Sequence, residues 1–333
     1  MKKYSIYALA VALATLLVIT GCDSQLTENS ETTDNQTLAY QGSMDANSDQ
    51  SDFIEFSIEE IMNSLNDKLA AEGLNYRVRM AEYITAEGSG EAGNTVFAKD
   101  VGNKQLGTDF VPNDARRTWS NPGAPGDTDD ITYAIDQTPG PAGSTPFLGG
   151  LSGTDATAAI QRAMGTWDAQ TCSDLSLTEI STGIDISATL FFFSGGFIGN
   201  PTVVADIQHA GFNVNWGNNI LGVAFSFVFV GPNGPTDVDN NGKTDKAFTE
   251  IYYGPFFPWA DDGTNPDLET VALHEAGHGL SQAHFGQIFV TKSGKFKVAP
   301  LAVMNAGYTQ VQRDLKGTDK GGHCSNWAEW PNN

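Results

Sequence analysis

Apolar and polar positions divide the N-terminal third of the chain into three segments. Residues 6–19 are almost continuously apolar, whereas residues 23–52 are polar and nearly free of large apolar side chains. Such a polar segment buries too little surface to offset its chain entropy, so we expect a disordered tether there. From residue 53 onward, apolar residues recur at helical spacing and then alternate as in a strand over residues 76–80. This predicts a small helix-and-strand region over residues 53–108.

Beyond residue 108, the pattern predicts strands and two long helices. An amphipathic stripe over residues 159–167 marks the first helix, and Asn265-Pro266-Asp267 is typical of the start of the second, with a capping side chain and a first-turn proline. Runs rich in β-forming residues lie at 131–135, 188–193, 203–207, 221–230 and 249–253. We therefore predict one main domain of strands and helices over residues 109–333.

Composition and charge narrow the class of partner. The 333 residues include 18 Lys and Arg against 40 Asp and Glu, which gives a formal net charge of −22. Such a chain repels phosphate backbones, so we expect no nucleic-acid partner. Excess carboxylates are ordinary on a solvated surface, and they are also available as calcium ligands.

The first 22 residues have the order of an export signal. Two lysines and the apolar run precede small residues, and the run is too short to span a bilayer comfortably. Ile19-Thr20-Gly21-Cys22 resembles the bacterial lipobox, in which the cysteine is acylated and becomes the first mature residue. The resemblance implies that Cys22 anchors the protein by lipid on the extracytoplasmic side of the cell envelope. Ordinary cleavage and free secretion are the alternative.

Two further cysteines complete the count of three. Cys172 and Cys324 would lie in an oxidising compartment, and neither belongs to a close cysteine pair of the kind that binds zinc. We expect a disulfide that joins the middle of the chain to its C-terminal end.

The second predicted long helix carries the clearest pattern of candidate metal-binding residues. His274 and His278 are four residues apart, so both imidazoles face one metal ion while Glu275 faces its open position. A catalytic zinc takes three protein ligands and keeps one position for water, and His284 follows within the same eleven residues. Three of the five histidines thus concentrate in one segment. The segment predicts a zinc site.

The segment from His274 to His284 resembles the His-Glu-x-x-His-x-x-Gly-x-x-His signature of the metzincin zinc peptidases. Ala302-Val303-Met304-Asn305 is similar to the turn that places a packing methionine under the zinc in that family. Three upstream segments, each less specific than the histidine motif, occur in the order seen in the matrixins, the matrix-metalloproteinase branch. The resemblance covers roughly residues 116–312; the upstream segments are Ile131–Asp136, the helix with Trp167, and Ala205–Ile207.

The resemblance implies a monomeric zinc endopeptidase that cleaves protein or peptide substrates. His274, His278 and His284 would hold zinc, and Glu275 would take a proton from water. The implied fold is α+β, with a twisted mixed sheet, two long helices and an irregular C-terminal subdomain. An extended substrate would pair with an edge strand, for which residues 221–227 are the candidate, and residues 285–303 would wall the specificity pocket. The alternative is a non-catalytic zinc-fold surface lipoprotein that binds a protein partner, although such a protein has no need of Glu275.

The sequence departs from the family pattern in two places. Ser281 replaces the signature glycine, and a residue with a β-carbon meets a steric cost at the positive φ of that turn. No cysteine lies between residues 23 and 171, which excludes the cysteine-based latency of matrixins. Whether residues 53–108 inhibit by another route stays open. A competing metal arrangement would take Asp314 or Asp319 as third ligand in place of His284.

A second metal is indicated by one acidic loop. Its oxygen-bearing residues hold positions 1, 3, 5 and 9 of an EF-hand-like loop, with Gly242 at position 6; they are Asp237, Asp239, Asn241 and Asp245. Position 12 is Phe248 rather than glutamate, and Asp, Asn and Gly also favour ordinary turns. Calcium binding and a plain turn both stay open.

The two remaining histidines carry weaker predictions. His209 fits a hydrogen-bonded structural histidine, with contact to a second, structural metal as the alternative. His323 follows no recognisable pattern beside Cys324.

Overall fold

The computed structural model describes residues 57–99, 107–117, 119, 130–136, 151–180, 203–212, 219–255, 257–264 and 266–332. The predicted signal, the lipidation at Cys22, the polar tether and the strand at 188–193 lie outside the described residues. Within the described ranges, no helix combines the length and apolar character needed to cross a membrane.

The described part of the chain contains four α-helices. They are α1 (Ile58–Ala71), α2 (Gly153–Asp168), α3 (Leu268–Gly279) and α4 (Gly317–Trp327). A capping box of Ser57 and Glu60 starts α1, as the acidic first turn favours. The start predicted for α3 is displaced, because the Asp267 side chain caps the helix by accepting the Thr270 N–H, and Pro266 precedes the helix rather than occupying its first turn.

Most strands belong to one mixed nine-stranded sheet. Its main path has the order β2-β1-β7-β9-β6-β4-β5, with β3 beside β9 and β8 beside β7, while β10 and β11 form a separate hairpin. The strands are β1 (Tyr76–Thr85), β2 (Thr95–Phe97), β3 (Thr108–Asp109), β4 (Ile131–Ile135), β5 (Leu177–Glu179), β6 (Ile207–Phe212), β7 (Ile220–Gly231), β8 (Gly234–Pro235), β9 (Thr244–Tyr253), β10 (Gln287–Val290) and β11 (Phe296–Ala299). The fold is therefore α+β with a mixed sheet, as predicted at that level.

The strand predicted at residues 203–207 is wrong except for its last residue, because β6 begins at Ile207. Before that point Asp206 keeps one backbone bond to β9, because its carbonyl accepts from the Thr249 N–H at 2.8 Å. Its other bonds involve side chains: its N–H donates to the Thr132 hydroxyl at 3.1 Å, and its carboxylate accepts from the Thr132 N–H at 2.9 Å. The carboxylate also forms a fully buried ion pair with Arg117 at 3.0 Å.

Strand β7 is an internal strand, so the prediction that residues 221–227 form a free edge for substrate is wrong. Strand β1 pairs antiparallel with β7 from Tyr76 opposite Phe229 to Thr85 opposite Ile220. Strand β9 pairs antiparallel on the other side. The predicted N-terminal region thus contributes a strand to the same sheet as the predicted catalytic region.

The sheet is covered on both faces. One buried cluster joins α1, through Ile61, Met62 and Leu65, to Phe225 and Phe227 of β7. The other joins α2 and α3 to the opposite face, including Ala224, and extends to the segment after α3. Successive residues of a strand point to opposite faces, so β7 supplies both clusters. This packing fixes α3, which carries the predicted metal ligands, against the sheet.

Candidate metal centre

The three histidines of the signature segment meet at one point. His274 and His278 lie one turn apart on α3, His284 follows the helix, and a ligand nitrogen of each lies within 4.8 Å of the others. The ring centroids are 4.8 Å apart for His274 and His278, 5.3 Å for His274 and His284, and 4.7 Å for His278 and His284. Among the described residues, no fourth His, Cys, Asp or Glu joins this cluster.

Hydrogen bonds orient the two helical imidazoles. Nδ1 of His274 lies 2.8 Å from the carbonyl oxygen of Val303, and Nδ1 of His278 lies 2.7 Å from that of Gln282. Because a carbonyl only accepts, each Nδ1 carries the proton and each Nε2 presents a lone pair. The two Nε2 atoms face each other at 3.1 Å. Nε2 of His284 is buried without a hydrogen-bond partner, so this donor set fits a divalent transition metal.

Burial favours the neutral form of the His274 and His284 imidazoles. It lowers the pKa of His274 and of His284 well below the ordinary value, and the neighbouring histidines lower both further. A metal takes the neutral imidazole as ligand. The site therefore favours the form that binds.

The helix ends with the turn that brings His284 back to the other two ligands. Ser281 has φ 62°, which is the left-handed conformation predicted for the signature glycine. Its N–H donates to the His278 carbonyl at 3.0 Å, and the N–H of Gln282 donates to the Gly277 carbonyl at 2.8 Å. These two bonds form a Schellman motif with serine in the glycine position.

We expect Ser281→Gly to leave the free energy of unfolding unchanged or to raise it by up to about 1 kcal/mol, because glycine adopts positive φ without a β-carbon clash. The gain is partly offset by the larger conformational freedom of glycine in the unfolded chain. Ser281→Val is the matched control and should lower stability by about 1–3 kcal/mol, since a branched side chain is strained there. Urea unfolding of the metal-free protein measures both; equal losses in the two variants would contradict this account.

A buried lysine, which the sequence analysis missed, holds the same helix end. The Lys246 Nζ donates to the carbonyl oxygens of His278 and Gly279, each at 2.8 Å, and lies 3.4 Å from the Ser281 hydroxyl. Burial lowers the pKa of Lys246 to about 7, although Glu82 and Asp109 act in the opposite direction. A donor at the negative end of the helix dipole satisfies carbonyls that the helix leaves open.

Glu275 sits deep in the centre. It is fully buried, and neither carboxylate oxygen has a hydrogen-bond partner. Burial raises the pKa of Glu275 well above its ordinary value, and the nearby Glu82 raises it further. Gly222 of β7 provides the space, because a β-carbon there would lie 2.6 Å from Glu275 Oε1. A carboxyl of raised pKa at this place is suited to hold and release a proton.

The predicted methionine turn lies beneath the histidines. Met304 is buried, and a β-carbon at Gly277 of α3 would collide with its sulfur. The Asp319 carboxylate accepts from the N–H of Val303 at 3.0 Å and of Met304 at 3.1 Å. Asp319 therefore braces this turn and is not part of the histidine cluster. Asp314 lies in a separate surface groove.

The predicted calcium loop also gathers its acids. Ligand oxygens of Asp237, Asp239 and Asp245 lie within 4.8 Å of one another. The Asn241 amide donates to Asp239 at 3.0 Å and to Asp109 at 2.8 Å, so Asp109 of β3 lies beside the loop. Asp245 is also paired with the Arg116 guanidinium at 2.7 Å. Asp109 was not predictable, because it is brought here by the parallel pairing of β3 with β9.

We expect calcium to raise the melting temperature of the wild type, because an ion that binds only the folded state stabilises it by about 2.7 kcal/mol at a hundredfold excess over Kd. Asp239→Ala should abolish the increment by removing a ligand oxygen. Asp67→Ala, which removes an exposed acid on α1, is the control and should respond like the wild type. An equal calcium response in all three proteins, followed by thermal unfolding, would count against the loop.

The other histidines and the cysteines have structural surroundings. His209 is buried between the Tyr253 hydroxyl at 2.8 Å from Nδ1 and the Met164 sulfur at 3.3 Å from Nε2. His323 packs on Trp167 with ring centroids 5.5 Å apart. The predicted disulfide between Cys172 and Cys324 is present, with Cα atoms 5.6 Å apart. It ties the end of α2 to α4.

No protein-family model matches the chain, and no curated protein matches it. Function is therefore inferred from the site itself.

Proposed function

We propose that the protein is a zinc-dependent endopeptidase of the metzincin type, closest to the matrixin branch. The observation that carries the proposal is the convergence of His274, His278 and His284, with Glu275 on the same helix. Three nitrogen donors without a fourth protein ligand are the donor set of a catalytic zinc site rather than a structural one. The mixed sheet with α2 and α3 against one face, and the methionine turn below, support the same class.

Each residue of the centre has a distinct task. The three imidazoles would hold zinc, which when bound supplies a Lewis acid and lowers the pKa of water towards about 7. Glu275 takes the proton from the attacking water and returns it to the leaving amine. Glu275 lies next to His274 on α3, and its two oxygens have no hydrogen-bond partner, so both are available for this exchange.

Glu275, His274 and His278 are fully buried, whereas His284 is only partly buried. Strand β1 occupies the edge of β7. The proposal therefore places the peptide on the side of the centre where His284 lies. The segment expected to wall the specificity pocket contains the β10–β11 hairpin, on which Phe289 is 59% exposed and Val290 is 41% exposed. These apolar side chains support binding of an extended peptide beside His284.

The acidic loop, the lipobox and the disulfide support proposals on a second metal and on localisation. The acidic loop supports a calcium ion that stabilises the fold, in addition to the zinc. The lipobox resemblance supports a protein anchored through Cys22 on the extracytoplasmic side of the cell envelope. The disulfide agrees with an oxidising compartment of that kind.

The test of the proposal is metal content and proteolysis of the purified chain from residue 23 onward. We expect about one zinc ion per chain, cleavage of casein or gelatin, loss of cleavage on chelation, and recovery when zinc is returned. A chain without zinc would refute the proposal. Zinc binding without cleavage would instead support the non-catalytic surface lipoprotein.

A further inference from the structure

A carboxylate from the N-terminal strand β1 reaches the metal centre. Glu82 is buried, and its Oε2 lies 3.1 Å from Nδ1 of His278. Its Oε1 accepts from the Thr95 hydroxyl at 3.3 Å. Glu82 therefore contacts the face of His278 that points away from the metal, and it comes from the part of the chain that precedes the signature by nearly two hundred residues.

The register of the sheet explains why Glu82 points there. Glu82 lies directly opposite Ala224 of β7, and residues opposite each other on paired strands share one face of the sheet. Ala224 belongs to the buried cluster that contains α3. The side chain of Glu82 is consequently directed at the helix that carries His274 and His278.

The surroundings of Glu82 offer partners to both carboxylate oxygens. The Thr95 hydroxyl donates to Oε1 at 3.3 Å, and Nδ1 of His278 lies 3.1 Å from Oε2. A buried carboxylate needs such partners, because burial removes its contacts with water.

Resting on the proposed zinc function, we propose that Glu82 is a positioning residue of the metal centre, which acts on zinc through His278. Nδ1 of His278 is hydrogen-bonded to the Gln282 carbonyl at 2.7 Å, and Oε2 of Glu82 lies 3.1 Å from the same nitrogen. The carboxylate fixes the tautomer that presents Nε2 to the metal and makes the imidazole a stronger donor. Its negative charge also favours a divalent cation nearby.

The contact makes strand β1 a part of the centre. His274 is oriented by the Val303 carbonyl, which belongs to the segment after α3. His278 has contacts from two parts of the chain, Gln282 just after the helix and Glu82 on β1. Removing the charge of Glu82 should therefore weaken zinc binding without breaking the histidine cluster.

Zinc affinity by chelator competition tests this role. Glu82→Gln keeps the size of the side chain and removes its charge, and we expect zinc binding to weaken by about 10–100-fold. The matched control is Glu250→Gln, which changes another fully buried carboxylate in the same sheet. Glu250 accepts from Gln208 and Tyr252, and it lies opposite Phe225, which faces α1 rather than α3. The control should keep wild-type zinc affinity.

A second readout separates positioning from folding. Cobalt-substituted Glu82→Gln should have a shifted visible absorption band, because the donor strength of His278 changes, while Glu250→Gln should have the wild-type band. Should Glu82→Gln fail to fold, Thr95→Val removes only the hydrogen bond to Glu82 and should weaken zinc binding in the same direction by a smaller factor.

Three outcomes decide against the inference. Wild-type zinc affinity and an unshifted cobalt band in folded Glu82→Gln, or in Thr95→Val as its substitute, would overturn the role of Glu82 alone. Equal loss of affinity in the Glu82 and Glu250 variants would reduce Glu82 to a structural residue. A wild-type chain that binds no zinc would overturn the proposed function and this inference together.

Discussion

Glu275→Gln is expected to lower kcat/KM for peptide cleavage by about 100–10,000-fold, the contribution typical of a general base. Glutamine has nearly the same shape but does not accept the proton of the attacking water. Zinc content should stay at the wild-type level, because Glu275 is not a member of the ligand cluster. Stability should be kept or increased, since the substitution removes a buried carboxyl whose oxygens have no hydrogen-bond partner.

The measurement is kcat/KM on a fluorogenic peptide, with zinc content and the unfolding midpoint determined on the same samples. Glu269→Gln provides the control, because Glu269 lies on the same helix but pairs with Arg162 at 2.6 Å, away from the histidines. The control should keep most activity. A loss of less than about tenfold in Glu275→Gln would reject Glu275 as the general base.

His284→Ala should have the largest effect on metal binding. It leaves two imidazoles where a catalytic zinc requires three ligands. Loss of a residue that only supports a ligand typically weakens metal binding by about 10–100-fold, and we expect the loss of a ligand itself to weaken it more. Proteolysis should be lost with the metal. Zinc retained after gel filtration, and affinity by chelator competition, measure the effect.

Asp314→Ala is the appropriate comparison for His284→Ala. Asp314 is exposed in a surface groove, so its removal should leave zinc binding unchanged. Asp319 is unsuitable as a control, because its carboxylate holds the methionine turn under the centre. If His284→Ala kept zinc and Asp314→Ala lost it, the third ligand would be a carboxylate and the metzincin assignment would be wrong.

Local spacing made part of the histidine cluster predictable from sequence. Residues four apart on a helix always share a face, so the relation of His274 to His278 needs no tertiary information. The positive φ at Ser281 was also expected, because His284 can rejoin the other ligands only if the helix ends there. The methionine turn followed from its resemblance to a known segment.

The residues that contact the histidines or the end of α3 are placed there by long-range packing, so they could not be predicted from the sequence. Glu82 and Lys246 lie on strands whose register alone directs them at α3. The prediction of a free edge at residues 221–227 failed for the same reason, since an alternating strand gives no sign of whether one or two neighbours pair with it. Asp109 likewise joins the acidic loop only through strand pairing.

The ten-residue strand β1 has a consequence for any shortened form of the protein. A chain that begins at residue 109 would keep every predicted zinc ligand and Glu275, yet it would lack Glu82, β1 and α1. Strand β7 would then present a long row of unpaired backbone groups, and Phe225 and Phe227 would face water. Long apolar edges of this kind recruit further strands and aggregate. The smallest form that stays in solution should therefore begin before α1, well upstream of the histidine segment.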